Sequence, residues 1–253
     1  MQENVLLEQF SRSLVIAEKN LRIYYKRGPV VIFGLIMPFF LFLAYFIGRS
    51  MSIEHLFTGL MGMTIFFSSM SIGPAIVPFE ARSRNLERLL STPLSIWALL
   101  MGDVLASFLY GFLLSFVPLT IGFILGINII NGLVLFVAMA FAAFCFSAFS
   151  VLLSAYPPTD IPSTVMMISN LVKFPLVFIS GIFIPIAEMQ EWGRIAASFS
   201  PLTYFTDLVN YSTGQGISYF SPAIDFIVLA GFTAVFLIAA IKIHERTLSK
   251  RLA

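Results

Sequence analysis

The chain has 253 residues, 58% of them hydrophobic and only 11% charged, with a mean hydropathy of +0.94. That composition cannot cover a water-facing surface with polar groups, which excludes a soluble domain and indicates an all-α integral membrane protein. The net charge of +2 gives no reason to expect nucleic acid, and a single cysteine (Cys145) with two distant histidines (His55 and His244) excludes an intrachain disulfide and a Cys/His metal site.

Residues 1–28 carry Leu7, Phe10, Leu14, Ala17, Leu21 and Tyr24 at alternating steps of three and four, the stripe of an amphipathic helix. Glu8, Arg12, Lys19, Arg22 and Lys26 take the other faces. The expectation is an N-terminal interfacial helix with its stripe down and its cations toward anionic headgroups, so membrane lipids are one partner. A lead-in this long and charged is unlike a secretory signal, and none is expected.

Residues 29–253 read as one six-span transmembrane domain. The apolar segments fall at 29–48, 57–79, 98–125, 133–155, 161–185 and 222–241, each near the ~20 residues that cross ~30 Å of hydrocarbon. Pro38, Pro74, Pro78 and Pro118 predict kinks in the first three. The third is long, and is expected to begin as an interfacial turn holding Trp97 and Asp103. Gly126–Gly132 and Tyr156–Asp160 read as short turns, the second stiffened by Pro157 and Pro158.

Between the second and third spans lies the charged segment 79–97. Glu80, Arg82, Arg84, Glu87 and Arg88 fall within nine positions, and Leu86, Leu89 and Leu90 share one helical side at i, i+3, i+4. Such a helix can serve as a handle for a soluble partner. Composition alone favours the plainer reading, a positively charged inner loop with a solvated face.

Orientation follows from counting Lys and Arg. Arg12, Lys19, Arg22, Lys26, Arg27, Arg82, Arg84, Arg88, Lys242, Arg246, Lys250 and Arg251 lie on one side, and only Arg49 and Arg194 on the other. Both termini are therefore expected in the cytoplasm, with the chain in the cell membrane. The sizeable external segment is 186–221. It is expected to hold two short helices, Met189–Phe199 and Leu202–Tyr211, with Ser200-Pro201 opening the second. Trp192, Tyr204, Phe205, Tyr211, Tyr219 and Phe220 would form a headgroup-level belt. Asn210-Tyr211-Ser212 matches a glycosylation pattern, and Asp225 is read as the cap of the last span.

Lys173 stands inside the fifth span, where a cation costs roughly 2.5–3.5 kcal/mol on insertion scales. Asn170, Lys173, Phe174 and Val177 share a helical face. They are either the lining of an export path, with Lys173 favouring anionic headgroups, or the surroundings of a structural lysine bonded to carbonyls freed by Pro175. Phe66, Phe67 and Met70 could face the same path, although packing is the commoner role of such residues.

The run from Glu80 through Leu86-Glu87-Arg88-Leu89-Leu90-Ser91-Thr92-Pro93-Leu94-Ser95 resembles the cytoplasmic coupling segment of ABC-2 type transporter permeases. A second match follows in the expected order. Ser180-Gly181, Pro185 and Ser200-Pro201-Leu202-Thr203-Tyr204-Phe205-Thr206-Asp207 resemble the family's external signature. The family usually places Gly-Thr where this chain has Arg84-Asn85. The resemblance implies an ABC-2 (type V) exporter-like fold, with a six-span subunit paired with a second permease copy and docked on a separate nucleotide-binding ATPase. It implies ATPase coupling through Glu80, Arg82, Arg84, Glu87, Arg88, Leu90 and Pro93. ATP and Mg would then be bound by the partner, and no cofactor, metal or catalytic residue is expected in this chain.

No G-x-x-x-x-G-K-[ST] occurs, and no segment is polar enough to fold as an ATPase, so this chain is not expected to be an enzyme. The implied activity is ATP-driven export of a lipophilic drug, a lipid or a lipid-linked glycan by alternating access. The alternatives are an ATP-independent secondary carrier or lipid scramblase, which would transport alone, and a membrane assembly factor that transports nothing.

Overall fold

The computed structural model describes residues 2–47, 52–214 and 218–252, and every regular element among them is helical. Arg49, counted above on the outer side, lies outside the described residues. The chain opens with α1 (Gln2–Tyr24). The first span combines α2 (Gly28–Val31), a π-helical segment (Ile32–Ile36) and α3 (Met37–Phe46). The second is α4 (Ile53–Ser69) followed by α5 (Gly73–Arg82). A short α6 (Asn85–Leu90) leads to the third, α7 (Ile96–Leu114) with α8 (Phe116–Ile124). Then come α9 (Gly132–Ser154), α10 (Pro162–Ile179), α11 (Glu191–Ser198), α12 (Pro201–Thr213) and α13 (Pro222–Leu252).

Among the described residues, five stretches are long and apolar enough to cross a membrane: Ile53–Arg82, Ile96–Ile124, Gly132–Ser154, Pro162–Ile179 and Pro222–Thr247. The sixth expected span is a shorter apolar helix, Ile32–Ala44, interrupted by its π turn. Each break sits where a proline withholds an amide hydrogen from the carbonyl four residues earlier. Pro38 follows the π segment, Pro74 follows the gap between α4 and α5, and Pro118 follows the gap between α7 and α8. Pro78 and Pro175 remain inside α5 and α10.

The α4–α5 span is the buried axis of the bundle, while α13 presents most of its apolar surface outward, including Ile227, Val235 and Ile238. Wrapped around the axis, α9 touches α4, α5, α7, α10, α12 and α13. Phe66, Phe146 and Phe205 form its centre, with edge-to-face rings 5.0 and 6.4 Å apart.

Three expectations are corrected. The third span does not begin as a turn: Ser95 caps α7 through Ala98 N–H (3.1 Å), and Asp103 is buried inside the helix. The external segment does not stay at the surface. Leu202, Phe205, Leu208 and Val209 bring α12 back against α4, α9 and α13, so Tyr204 and Phe205 are core residues and not part of a belt. Trp192 and Tyr219 do remain exposed. Asn210 is buried, its amide oxygen accepting from the Thr58 hydroxyl at 2.7 Å, which removes it as a glycan acceptor.

Candidate functional site

Arg84 adopts a left-handed conformation (φ 56°), and this reverses the chain from α5 into α6. A Cβ is disfavoured at positive φ, so a glycine would suit this position better than the arginine present. Leu86 is buried and Leu89 and Leu90 partly so, seated against Ile16 of α1, Val77 of α5, and Leu94 and Leu99. Arg82, Arg84, Glu87, Arg88 and Pro93 are exposed. The leucine seat and charged outer face expected of the segment are thus both present.

Helix α1 packs against α7 and α5. Its face of Ser13, Ile16, Ala17, Asn20 and Tyr24 is buried, largely against α7, leaving Leu7, Phe10 and Leu14 exposed. Small residues allow the approach. A Cβ on Gly102 would stand 2.5 Å from Ile16 Cγ2 and 2.9 Å from the Ser13 carbonyl. Gln9 ties α1 to the turn after α6, donating to the Pro93 carbonyl (3.1 Å) and accepting from Ser95 N–H and its hydroxyl (3.1 Å each). Arg12 also donates to the Pro93 carbonyl.

Glu80, expected to meet a partner, is 1% exposed and pairs with Lys19 inside the chain. The next residue of α1, Asn20, donates to Asp103 Oδ1 at 2.6 Å. Lys19 also lies within electrostatic range of Asp103. Burial, then the Glu80 and Asp103 carboxylates, raise the Tyr24 phenol and keep it neutral. Glu80 therefore joins α5 to α1, and the Asn20–Asp103 bond joins α1 to α7. The sequence reading missed Asn20 and Asp103 as a pair. Their signal was a polar residue in each of two otherwise apolar faces.

The seven expected path residues separate. Phe66, Phe67, Met70, Lys173 and Val177 are buried within a single chain, while Asn170 and Phe174 are partly exposed. Lys173 is 2% exposed and donates to the Met70 carbonyl at 2.7 Å. That carbonyl is the one Pro74 leaves unpaired in the neighbouring span, so Pro74 and not Pro175 explains the lysine. Asn170 instead faces a cavity of about 500 Å³ bounded by Phe33, Phe79, Arg82, Pro162, Ser163, Met166 and Met167.

The external signature is an interlocked turn. Gly181 takes φ +80°, the Thr206 hydroxyl reaches the Ser180 carbonyl (3.0 Å), and Tyr204 Oη donates to the Ser198 carbonyl (3.0 Å). Pro185 precedes a short 3₁₀ turn, and Pro201 opens α12. Asp207 accepts from Tyr219 N–H and Phe220 N–H at 2.8 Å each, although burial pushes its carboxyl upward. Asp207 thus fastens the connection ahead of α13, and the cap expected of Asp225 is not formed: its buried carboxyl makes no hydrogen bond to the α13 amides among the described residues.

The family model described as ABC-2 type transporter matches residues 13–213, most of the chain. This chain belongs to the ABC-2 type transporter family. The ABC-2 match runs from the middle of α1 to the end of α12 and so takes in α6, the Ser91–Ser95 turn and the external signature. The ycf38 protein of Cyanophora paradoxa, whose name describes a transport permease, is 27% identical over 232 residues, covering 85% of this chain and 79% of its own length. The chain is accordingly a multi-pass ABC-2 membrane protein of a transport permease family, a family that in general works with an ATPase.

Proposed function

We propose that this chain is the membrane subunit of an ATP-driven ABC exporter, placed in the cell membrane with both termini in the cytoplasm. Two such subunits face each other, each docked on a separate ATPase that binds ATP and Mg. The cargo is lipophilic: a drug, a lipid or a lipid-linked glycan. The observation that carries this reading is the composite surface of α1, α6 and the Ser91–Ser95 turn, where an outward charged face stands on a leucine seat packed against α5 and α7. A push on Glu87 and Arg88 is delivered to α5 and α7 through Leu86, and to α1 through Gln9, Arg12 and the Lys19–Glu80 pair. Such an element transmits work only if its contacts with the motor differ between nucleotide states.

Co-expression with an ABC ATPase from the same genome tests the reading. Wild-type protein should co-purify with that ATPase, and Glu87→Lys should abolish co-purification without unfolding the chain. An ATPase that binds the Glu87→Lys variant as well as wild type would contradict the docking assignment.

A further inference from the structure

The cation placed to choose a cargo is Arg82, not Lys173. The Lys173 ammonium is enclosed and committed to the Met70 carbonyl. Arg82 ends α5 beside the 500 Å³ cavity and forms no ion pair or hydrogen bond among the described residues. The nearest acid on its own helix, Glu80, is buried and held by Lys19. Among the described residues, no acidic side chain lines the cavity.

The remaining walls suit an apolar chain. Phe33 comes from the first span, and Met166 and Met167 come from the first half of α10. Methionine side chains adapt to a flexible alkyl group. Two polar groups share this space: the Ser163 hydroxyl and Asn170, whose amide oxygen is buried without a hydrogen-bond partner. The volume is within the ~300–1,000 Å³ usual for small-molecule sites. An unpaired guanidinium is also a planar fork that matches phosphate oxygens.

We propose that this cavity binds an anionic lipid drawn from the leaflet on the α6 side, its phosphate on Arg82, a headgroup hydroxyl at Asn170 and one acyl chain along Phe33, Met166 and Met167. As a statement about cargo this rests on the transporter reading above; the binding step does not.

The test uses the full chain without any ATPase, in mild detergent, with native mass spectrometry and added phosphatidylglycerol or phosphatidylcholine. Wild type should retain phosphatidylglycerol at least ten-fold better than phosphatidylcholine. Arg82→Ala should lose that preference, Arg82→Lys should keep part of it, and Arg194→Ala, the same charge change at the opposite end, should keep all of it. Dodecyl phosphate should displace the lipid and inorganic phosphate should not, which separates an amphiphile site from a free-anion site. Thermal unfolding of each variant checks folding, and Asn170→Ala gives a second, uncharged route to weakened binding. Equal retention of the two lipids, unchanged binding by Arg82→Ala, displacement by inorganic phosphate, or an Arg82-dependent dimer without lipid would each overturn the proposal. If lipid selectivity holds while no ATPase co-purifies with the chain, the binding assignment stands and the exporter reading fails.

Discussion

Lys173, Arg84 and Asp207 each answer a local backbone demand, and each answer can be measured. Lys173 satisfies a carbonyl that Pro74 left open in a neighbouring helix. Lys173→Ala removes the bond and leaves a void, so stability should fall by about 2–4 kcal/mol while transport per folded molecule persists; thermal unfolding together with flux normalised to folded protein checks both. Arg84→Gly relieves the left-handed strain and should add roughly 0.5–1 kcal/mol of stability, read as a higher unfolding midpoint. Asp207→Ala leaves two amide hydrogens of the α12–α13 connection unpaired, and a loss of about 2–4 kcal/mol is expected. Pro74 was visible in the sequence as a kink, and Lys173 as an anomaly. What linked them was not, because the two residues are about a hundred positions apart and only the folded bundle puts the amine beside that carbonyl.

The helices tell a similar story. The leucine spacing of α6, its charged face and the prolines that break three spans were readable because they are local rules. The α1 stripe divides in the fold: Ala17 and Tyr24 are buried against protein together with Ser13, Ile16 and Asn20, at a close approach to Gly102, while Leu7, Phe10 and Leu14 stay exposed. Apolar periodicity gives no weight to Ser13 and Asn20, the polar part of this interface. The same bias hid the insertion of α12, whose aromatics look like a surface belt until Phe205 meets Phe146. Gly102→Val should wedge α1 away from α7, costing about 1–3 kcal/mol and weakening ATPase co-purification while α9 and α13 stay packed. A double-mutant cycle on Lys19 and Glu80 should give a coupling of about 1–2 kcal/mol, kept below the fully buried range because Lys19 is 29% exposed.

For the molecule as a whole, α4–α5 forms a buried axis and α13 faces outward. One side of the bundle is finished toward lipid, and one end carries a braced, charged platform. That end is where an external motor would deliver force, since α6 contacts the spans through leucines, and α1 is tied to the following turn by hydrogen bonds and to α5 by an ion pair. The six-segment pattern and the coupling run made this class legible in the sequence. The division of labour between Arg82, facing a cavity, and Glu80, locked inside, required the fold. The measurement that bears most directly on the account is flux of a fluorescent lipid in proteoliposomes holding this chain alone, with its ATPase, or with its ATPase and Glu87→Lys. Flux only in the second preparation, and only with ATP and Mg, is the predicted result; equal flux from the chain alone would contradict it.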